Sequence, residues 1–182
     1  MGATESPLVV VSVGGGSVGA PVLEAFLEAA RRGLLNGVIA SVVAGPEMSA
    51  SDLARLRDLA HALPGVTLVP FRSDLESHVA AADAVITMGG YNGVWEAVGA
   101  GKRPIVVPNV AAGRRGSDEQ ELRAERLAAL GLGTVVLPDE LTPERLADAV
   151  TTELGRSITP ATTLDFGGLE RTGEALARML GR

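Results

Sequence analysis

Six short aliphatic runs recur along the chain, each separated from the next by a stretch in which apolar residues return at helical spacing. The runs are Leu8–Val13 (LVVVSV), Gly37–Gly45 (GVIASVVAG), Val66–Phe71 (VTLVPF), Ala84–Met88 (AVITM), Pro104–Pro108 (PIVVP) and Thr134–Pro138 (TVVLP). They are rich in β-branched residues and nearly continuous in apolar character, as strands covered on both faces are. Between them, Pro21–Gly33 opens on proline and closes on glycine, the expected helix asymmetry. Ser49–Gly65 is a second helical pattern, stopped by Pro64-Gly65. Ser73–Asp83 is a short one, with Ser73 or Asp74 as its cap. Gly93–Lys102, Ser117–Gly131 and Thr142–Gly155 follow; the last has Thr142 as N-cap, Pro143 at the first helical position and Glu144 in the first turn.

Six strands alternating with helices predict an α/β fold: a Rossmann-like, doubly wound, parallel six-stranded sheet in the order 3-2-1-4-5-6. Ligands of such sheets bind at the carboxyl ends of the strands, near the switch between strands one and four. Residues 1–7 read as a flexible tail and 8–155 as a nucleotide-binding domain. Residues 156–182 read as a loop and a final helix, Leu169–Leu180, packing on the domain or on a partner.

Composition narrows the chemistry. The 182 residues suit one domain, and with aromatics at only 3% its core has to be aliphatic and alanine-rich. A net charge of -6 argues against a nucleic-acid partner. There is no cysteine, hence no disulfide framework and no thiolate metal site. The two histidines, His61 and His78, lie on predicted helices away from strand ends and read as structural or surface residues, so no metal site is expected. No apolar run approaches the roughly 20 residues of a membrane helix. No basic region precedes the first apolar run, so the reading is cytoplasmic.

Two glycine-rich segments carry the candidate site. Val13–Ala20 (VGGGSVGA) follows the first strand, opens the first helix and contains Gly14, Gly16 and Gly19 in G-x-G-x-x-G spacing. Such a loop lets backbone N–H groups approach a phosphate; it can equally be a tight turn, but three successive glycines exceed what a turn needs. A dinucleotide site would also want an acid at the tip of the second strand. That tip is Ala44-Gly45, and Glu47 lies beyond a proline, which weakens a nicotinamide-dependent oxidoreductase reading. The second segment, Met88–Pro108 (MGGYNGVWEAVGAGKRPIVVP), puts Gly89-Gly90 at the end of strand four. A helix then begins near Asn92-Gly93, its positive end toward the same crevice. Two helix N-termini at one crevice suit a diphosphate. Glu96, read as lying on the buried side about one turn into this helix, could accept hydrogen bonds from vicinal ribose hydroxyls or could merely complement the dipole as a first-turn acid. Trp95 reads as core packing.

Met88–Pro108, with Phe71 before it and SDEQELRAERL after it, resembles the C-terminal domain of GT-B glycosyltransferases of the family-28 type, the group that includes the lipid-II-forming N-acetylglucosaminyltransferase. The resemblance runs from about Leu8 to about Val150. It rests on an ordered set: glycine loop, Phe-x-x-Asp, Gly-Gly elbow with a glutamate, then Asp-x-Gln after the next strand. It implies that Gly14, Gly15, Gly16 and Ser17, with Gly89 and Gly90, meet a diphosphate. It implies that Phe71 and Arg72 hold the base, that Glu96 takes the ribose, and that Asn92, Asp118, Gln120 and Glu121 face the donor sugar. Arg114 and Arg115 read as solvated loop charges. No cofactor is implied; the donor is a nucleotide-diphosphate sugar, a UDP-sugar first and a dTDP-sugar second. The absence of any D-x-D pattern agrees with inverting transfer that needs no metal.

Enzymes of this kind have two domains, and the chain reads as the donor half alone. The acceptor-binding half is expected as an N-terminal domain or a separate subunit, and the exposed face left behind could also pair two copies as a homodimer. Three other readings stand beside this one: half of a sugar-nucleotide 2-epimerase, the oxidoreductase, and a non-catalytic nucleotide-binding or interaction module.

Overall fold

The structure is a computed structural model that describes residues 6–108, 118–156 and 167–181. Strands β1 (Leu8–Ser12), β2 (Ile39–Val43), β3 (Val66–Val69), β4 (Ala84–Thr87), β5 (Ile105–Val106) and β6 (Thr134–Val135) form one sheet in the order β3-β2-β1-β4-β5-β6. Every pairing is parallel. This is the order the alternation predicts. The helices are α1 (Ala20–Arg31), α2 (Ala50–His61), α3 (Leu75–Ala81), α4 (Tyr91–Gly99), α5 (Asp118–Ala129), α6 (Pro143–Leu154) and α7 (Gly168–Met179).

The strands are shorter than the apolar runs that announced them. Gly37 and Gly45 adopt φ of +82° and +90°, so the chain turns where the second run nominally continues. Prolines 104, 108 and 138 lack the N–H a ladder needs, which leaves β5 and β6 two paired residues each. Pro138 opens an unanticipated 3-10 turn, Pro138–Glu140.

Alternation along the strands fixes the two layers. Val9 and Val11 of β1 face the cluster that buries Leu23, Phe26 and Leu27 of α1, Leu56 of α2 and Leu146 and Val150 of α6. Val10 faces the other way, onto Val79 of α3 and Ala97 of α4. On that second face Val94 and Val98 of α4 pack with Val106, Ala124 and Leu127. The core is aliphatic, as composition requires, with Phe26 its one fully buried aromatic ring among the described residues. Trp95 is half-buried and packs at the margin of the α4–α5 cluster.

The Thr142 cap forms as expected, Ser49 supplies a cap not anticipated, and Asp74 takes the expected N-cap position without a cap bond. Ser49 accepts from the Asp52 N–H at 3.1 Å, and Thr142 from the Arg145 N–H at 3.1 Å. Asp74 stands at the N-cap of α3 but makes no side-chain cap bond, because its Oδ1 accepts from Arg72 Nε at 2.9 Å. Ionic contacts tie elements together, Arg55 of α2 to Glu24 of α1 at 2.5 Å among them. Arg32 joins Glu28 of α1 to Glu144 of α6, at 2.7 Å each. Buried Glu153 accepts from Thr134 Oγ1 at 2.5 Å and from Arg103 Nε at 3.2 Å. Helix α7 begins one residue before the expected Leu169 and buries none of its residues; Leu169, Leu176, Met179 and Leu180 are all exposed. Among the described residues no helix is long and apolar enough to cross a membrane.

Candidate functional site

The carboxyl ends of the strands lie level. Ser12 of β1 pairs with Val43 and Thr87, Val43 with Val69, and Thr87 with Val106. Adjacent strands are about 4.8 Å apart, so the glycine loop after Ser12 and the Gly-Gly elbow after Thr87 leave the sheet side by side. This is the switch point, between β1 and β4, where the order of the strands reverses direction.

The glycine loop is built against the turn that follows β2. Gly14 and Gly16 have φ of +65° and +94°. A Cβ on Gly16 would stand 2.2 Å from the Ala44 carbonyl oxygen, and one on Gly45 would stand 2.4 Å from that of Gly14. The Glu47 N–H donates to the Gly15 carbonyl at 2.7 Å. Two backbones thus meet with no room for a side chain between them. Gly14 and Ser17 are exposed, and the space beside Gly14 is open.

The same contact corrects one expectation. An acid does reach the glycine loop from strand two: the Glu47 carboxylate Oε2 lies 3.1 Å from where a Cβ on Gly15 would be. The positive φ of Gly45 redirects the chain and carries Glu47 back over the loop, which a linear count past Pro46 does not reveal.

The elbow is held from behind. Gly89 has φ +77°, and its carbonyl accepts from Arg123 Nη1 of α5 at 2.6 Å. The Arg123 guanidinium also pairs with Glu119 and lies 5.5 Å from the centroid of the exposed Tyr91 ring. Gly90 is the N-cap of α4, with open space where a Cβ would be. The helix therefore starts at Tyr91, a residue earlier than expected. Gly93 is close-packed: a Cβ there would stand 2.8 Å from Thr87 Oγ1. Glu96 is exposed, not on the buried side, and as the sixth residue of α4 it lies beyond the first turn. Among the described residues its carboxylate has no hydrogen bond or ion pair.

The described helix starts divide sharply. Helices α1 and α4 begin at glycine N-caps, Gly19 and Gly90, with no side-chain cap and no acid in the first turn. In α2, α3, α6 and α7 the first turn carries Asp52, Glu76, Glu144 or Glu170. No acid and no side-chain cap offsets the positive ends of the two helices that open at the switch point, although in α1 Pro21 carries no N–H and the Val22 N–H donates to the Gly19 carbonyl at 3.1 Å.

Of the other predicted residues, Phe71 lies two positions past β3 and is 62% exposed, a ring with a free face. Arg72 beside it is paired to Asp74, and that guanidinium holds the Asp74 carboxyl below its usual range. Asn92 is exposed on the first turn of α4. Gln120 and Glu121 are half-buried, and the Gln120 backbone oxygen lies 3.8 Å from the Cβ position of Gly89, so α5 brings them to the elbow. Asp118 opens α5, its side chain outside the described residues, as are Arg114 and Arg115. Glu47 and Arg123 were the residues not anticipated: the first is hidden by a glycine turn, the second reads in sequence as an ordinary helix-surface arginine.

A family model for the glycosyltransferase family 28 C-terminal domain matches residues 10–163. The chain belongs to that family. A UDP-N-acetylglucosamine–N-acetylmuramyl-(pentapeptide) pyrophosphoryl-undecaprenol N-acetylglucosamine transferase of Methylobacterium nodulans is 31% identical over 186 residues, covering 98% of this chain and 48% of the relative. The chain thus spans about half the length of that relative. The calicheamicin glycosyltransferase CalG4 superposes with a TM-score of 0.73 at 25% identity, over 98% of this chain and 43% of that one. The MurG structure from Acinetobacter baumannii agrees in fold, with a TM-score of 0.65 at 23% identity over 85% of this chain and 45% of that one. The GT-B resemblance read from the glycine loop, elbow and α5 is thereby established for the family, and the sheet order for the fold.

Proposed function

We propose that this chain is the donor-binding part of an inverting glycosyltransferase that uses a nucleotide-diphosphate sugar, a UDP-sugar in the first instance. The single observation that carries the reading is the pair of uncompensated helix N-termini, α1 and α4, opening side by side at the switch point. A helix end left without cap or acid stabilises a bound anion, and two of them suit two linked phosphates. Gly14–Ser17 and Gly89-Gly90 bring backbone N–H groups to the diphosphate. The Glu96 carboxylate, unpartnered among the described residues, accepts from the ribose hydroxyls. The exposed Phe71 ring packs on the base beside Arg72, and Asn92, Asp118, Gln120 and Glu121 face the sugar.

The acceptor hydroxyl attacks the anomeric carbon in line; its oxygen forms the new glycosidic bond as the bond to the β-phosphate oxygen breaks. Charge grows on the leaving diphosphate, where the two helix N-termini lie, so they hold the transition state more strongly than the ground state. The role asks nothing of a metal. The base that takes the acceptor's proton belongs to an acceptor-binding part outside this chain, consistent with relatives about twice as long. The exposed Leu169, Leu176, Met179 and Leu180 of α7 offer an apolar face to meet it. The reaction takes place on the cytoplasmic side.

Calorimetric titration with UDP, dTDP, GDP and NADH tests the reading. UDP or dTDP should bind and NADH should not, although Glu47 stands near the glycine loop. Glu96→Ala should weaken nucleotide binding by roughly 1–3 kcal/mol, the cost of unpaired ribose hydroxyls. Binding of NADH alone would overturn the proposal.

A further inference from the structure

We propose that Glu47 is the residue by which the crevice tells a nucleoside-diphosphate sugar from the bare nucleoside diphosphate left after transfer, an inference that rests on the donor-binding reading above. The Glu47 carboxylate stands against the tip of the glycine loop, Oε2 and Oε1 at 3.1 and 3.5 Å from the Cβ position of Gly15. Its backbone is fixed there. The N–H donates to Gly15, and the turn it belongs to meets the loop at Gly16 and Gly45, backbone on backbone. An anion that meets the loop at its Gly15 tip comes near this side chain. Among the described residues the Glu47 carboxylate has no hydrogen bond and no ion pair, so no cation offsets it. A carboxylate at this place contributes no bond to the fold and works against every anion the loop receives.

The repulsion grows with the charge of the ligand. In the sugar nucleotide each phosphate carries one negative charge. Transfer breaks the bond between the anomeric carbon and the β-phosphate oxygen, and that oxygen keeps the electron pair. The terminal phosphate therefore leaves with a second negative charge, which it keeps above about pH 6, where a phosphate monoester takes up a proton. At neutral pH and above, the product is the more highly charged species, and Glu47 opposes it more than it opposes the substrate. The helix N-termini by themselves would hold the product more tightly than the substrate; Glu47 counters that bias and favours product release. Because the carboxylate is exposed, water and salt limit the effect to a small factor.

The test is titration of the whole chain with UDP and UDP-N-acetylglucosamine, and with the corresponding thymidine pair, at pH 8 and low salt. Wild type, Glu47→Gln and Glu47→Asp are compared, with thermal midpoints measured on each. Glu47→Gln keeps the shape and the backbone bond but not the charge; it should tighten the bare diphosphate about fivefold relative to its sugar ester, a gain that shrinks in 0.5 M salt. Glu47→Asp should keep the wild-type ratio. An unchanged ratio in Glu47→Gln, with both ligands bound, overturns the proposal and leaves the donor-binding reading standing. Loss of the sugar ester alone in Glu47→Gln also overturns it, since the carboxylate would then be gripping the sugar. No binding of any of the four ligands to any of the three proteins removes both readings together.

Discussion

Gly16 is held where no other residue fits. Its φ is +94°, and a Cβ would stand 2.2 Å from the Ala44 carbonyl oxygen, a backbone atom that cannot rotate aside. Gly16→Ala should therefore cost roughly 2–4 kcal/mol in urea unfolding, combining left-handed strain with a forced backbone shift. Gly14 has a positive φ but open space, so its alanine variant should lose only about 1–2 kcal/mol from strain. At this scale the sequence declared its glycines plainly, because each marks a backbone state that few residues reach. It hid Glu47 and Arg123, since a contact made by a chain reversal or across two helices leaves no local pattern. Glu96 lay between: its position was legible, its exposure was not, because burial depends on how α4 rolls against β4.

Helix α5 and the elbow act as one unit through Arg123. The guanidinium donates to the Gly89 carbonyl at 2.6 Å, pairs with Glu119 and covers Tyr91, and it is 13% exposed. Arg123→Met should lower stability by about 1–3 kcal/mol by leaving the carbonyl unpaired, and should weaken nucleotide binding in calorimetry by loosening the start of α4. Arg123→Lys should restore only part of either loss, because an ammonium cannot span carbonyl, carboxylate and ring at once. Elements were the most legible level. Aliphatic runs and helical spacing placed all six strands and seven helices, since a covered parallel sheet demands both patterns. Strand ends were less so: Pro104, Pro108 and Pro138 lie inside apolar runs yet cannot donate to a ladder.

Across the whole molecule, charge pairs join the first helix to the sixth. Hydrogen bonds from Arg31, and then from Arg32, hold the Glu28 carboxyl down to about 2 from its usual 4.5. A carboxyl with a lowered folded pKa contributes fully above its unfolded value and loses that contribution as pH falls toward the folded one. The stability advantage of wild type over Glu28→Gln should thus be constant above pH 5 and decline between about pH 4.5 and pH 2, as urea midpoints across that range would record. Family membership was legible at this scale because glycine loop, elbow and α5 come in fixed order.

The level edge of the sheet has a consequence for how such a protein changes. The glycine loop, the β2 turn, the Phe71 segment and the elbow are distant in the chain yet leave the sheet in one row, each rising from its own paired strand. The first two are locked backbone to backbone and the elbow is tied to α5 through Arg123, so the Phe71 segment is the one to exchange singly while the strand below stays in register. The scaffold is in that sense only partly modular: the Phe71 segment can vary alone, whereas the glycine loop has to be inherited together with the β2 turn, and the elbow together with α5.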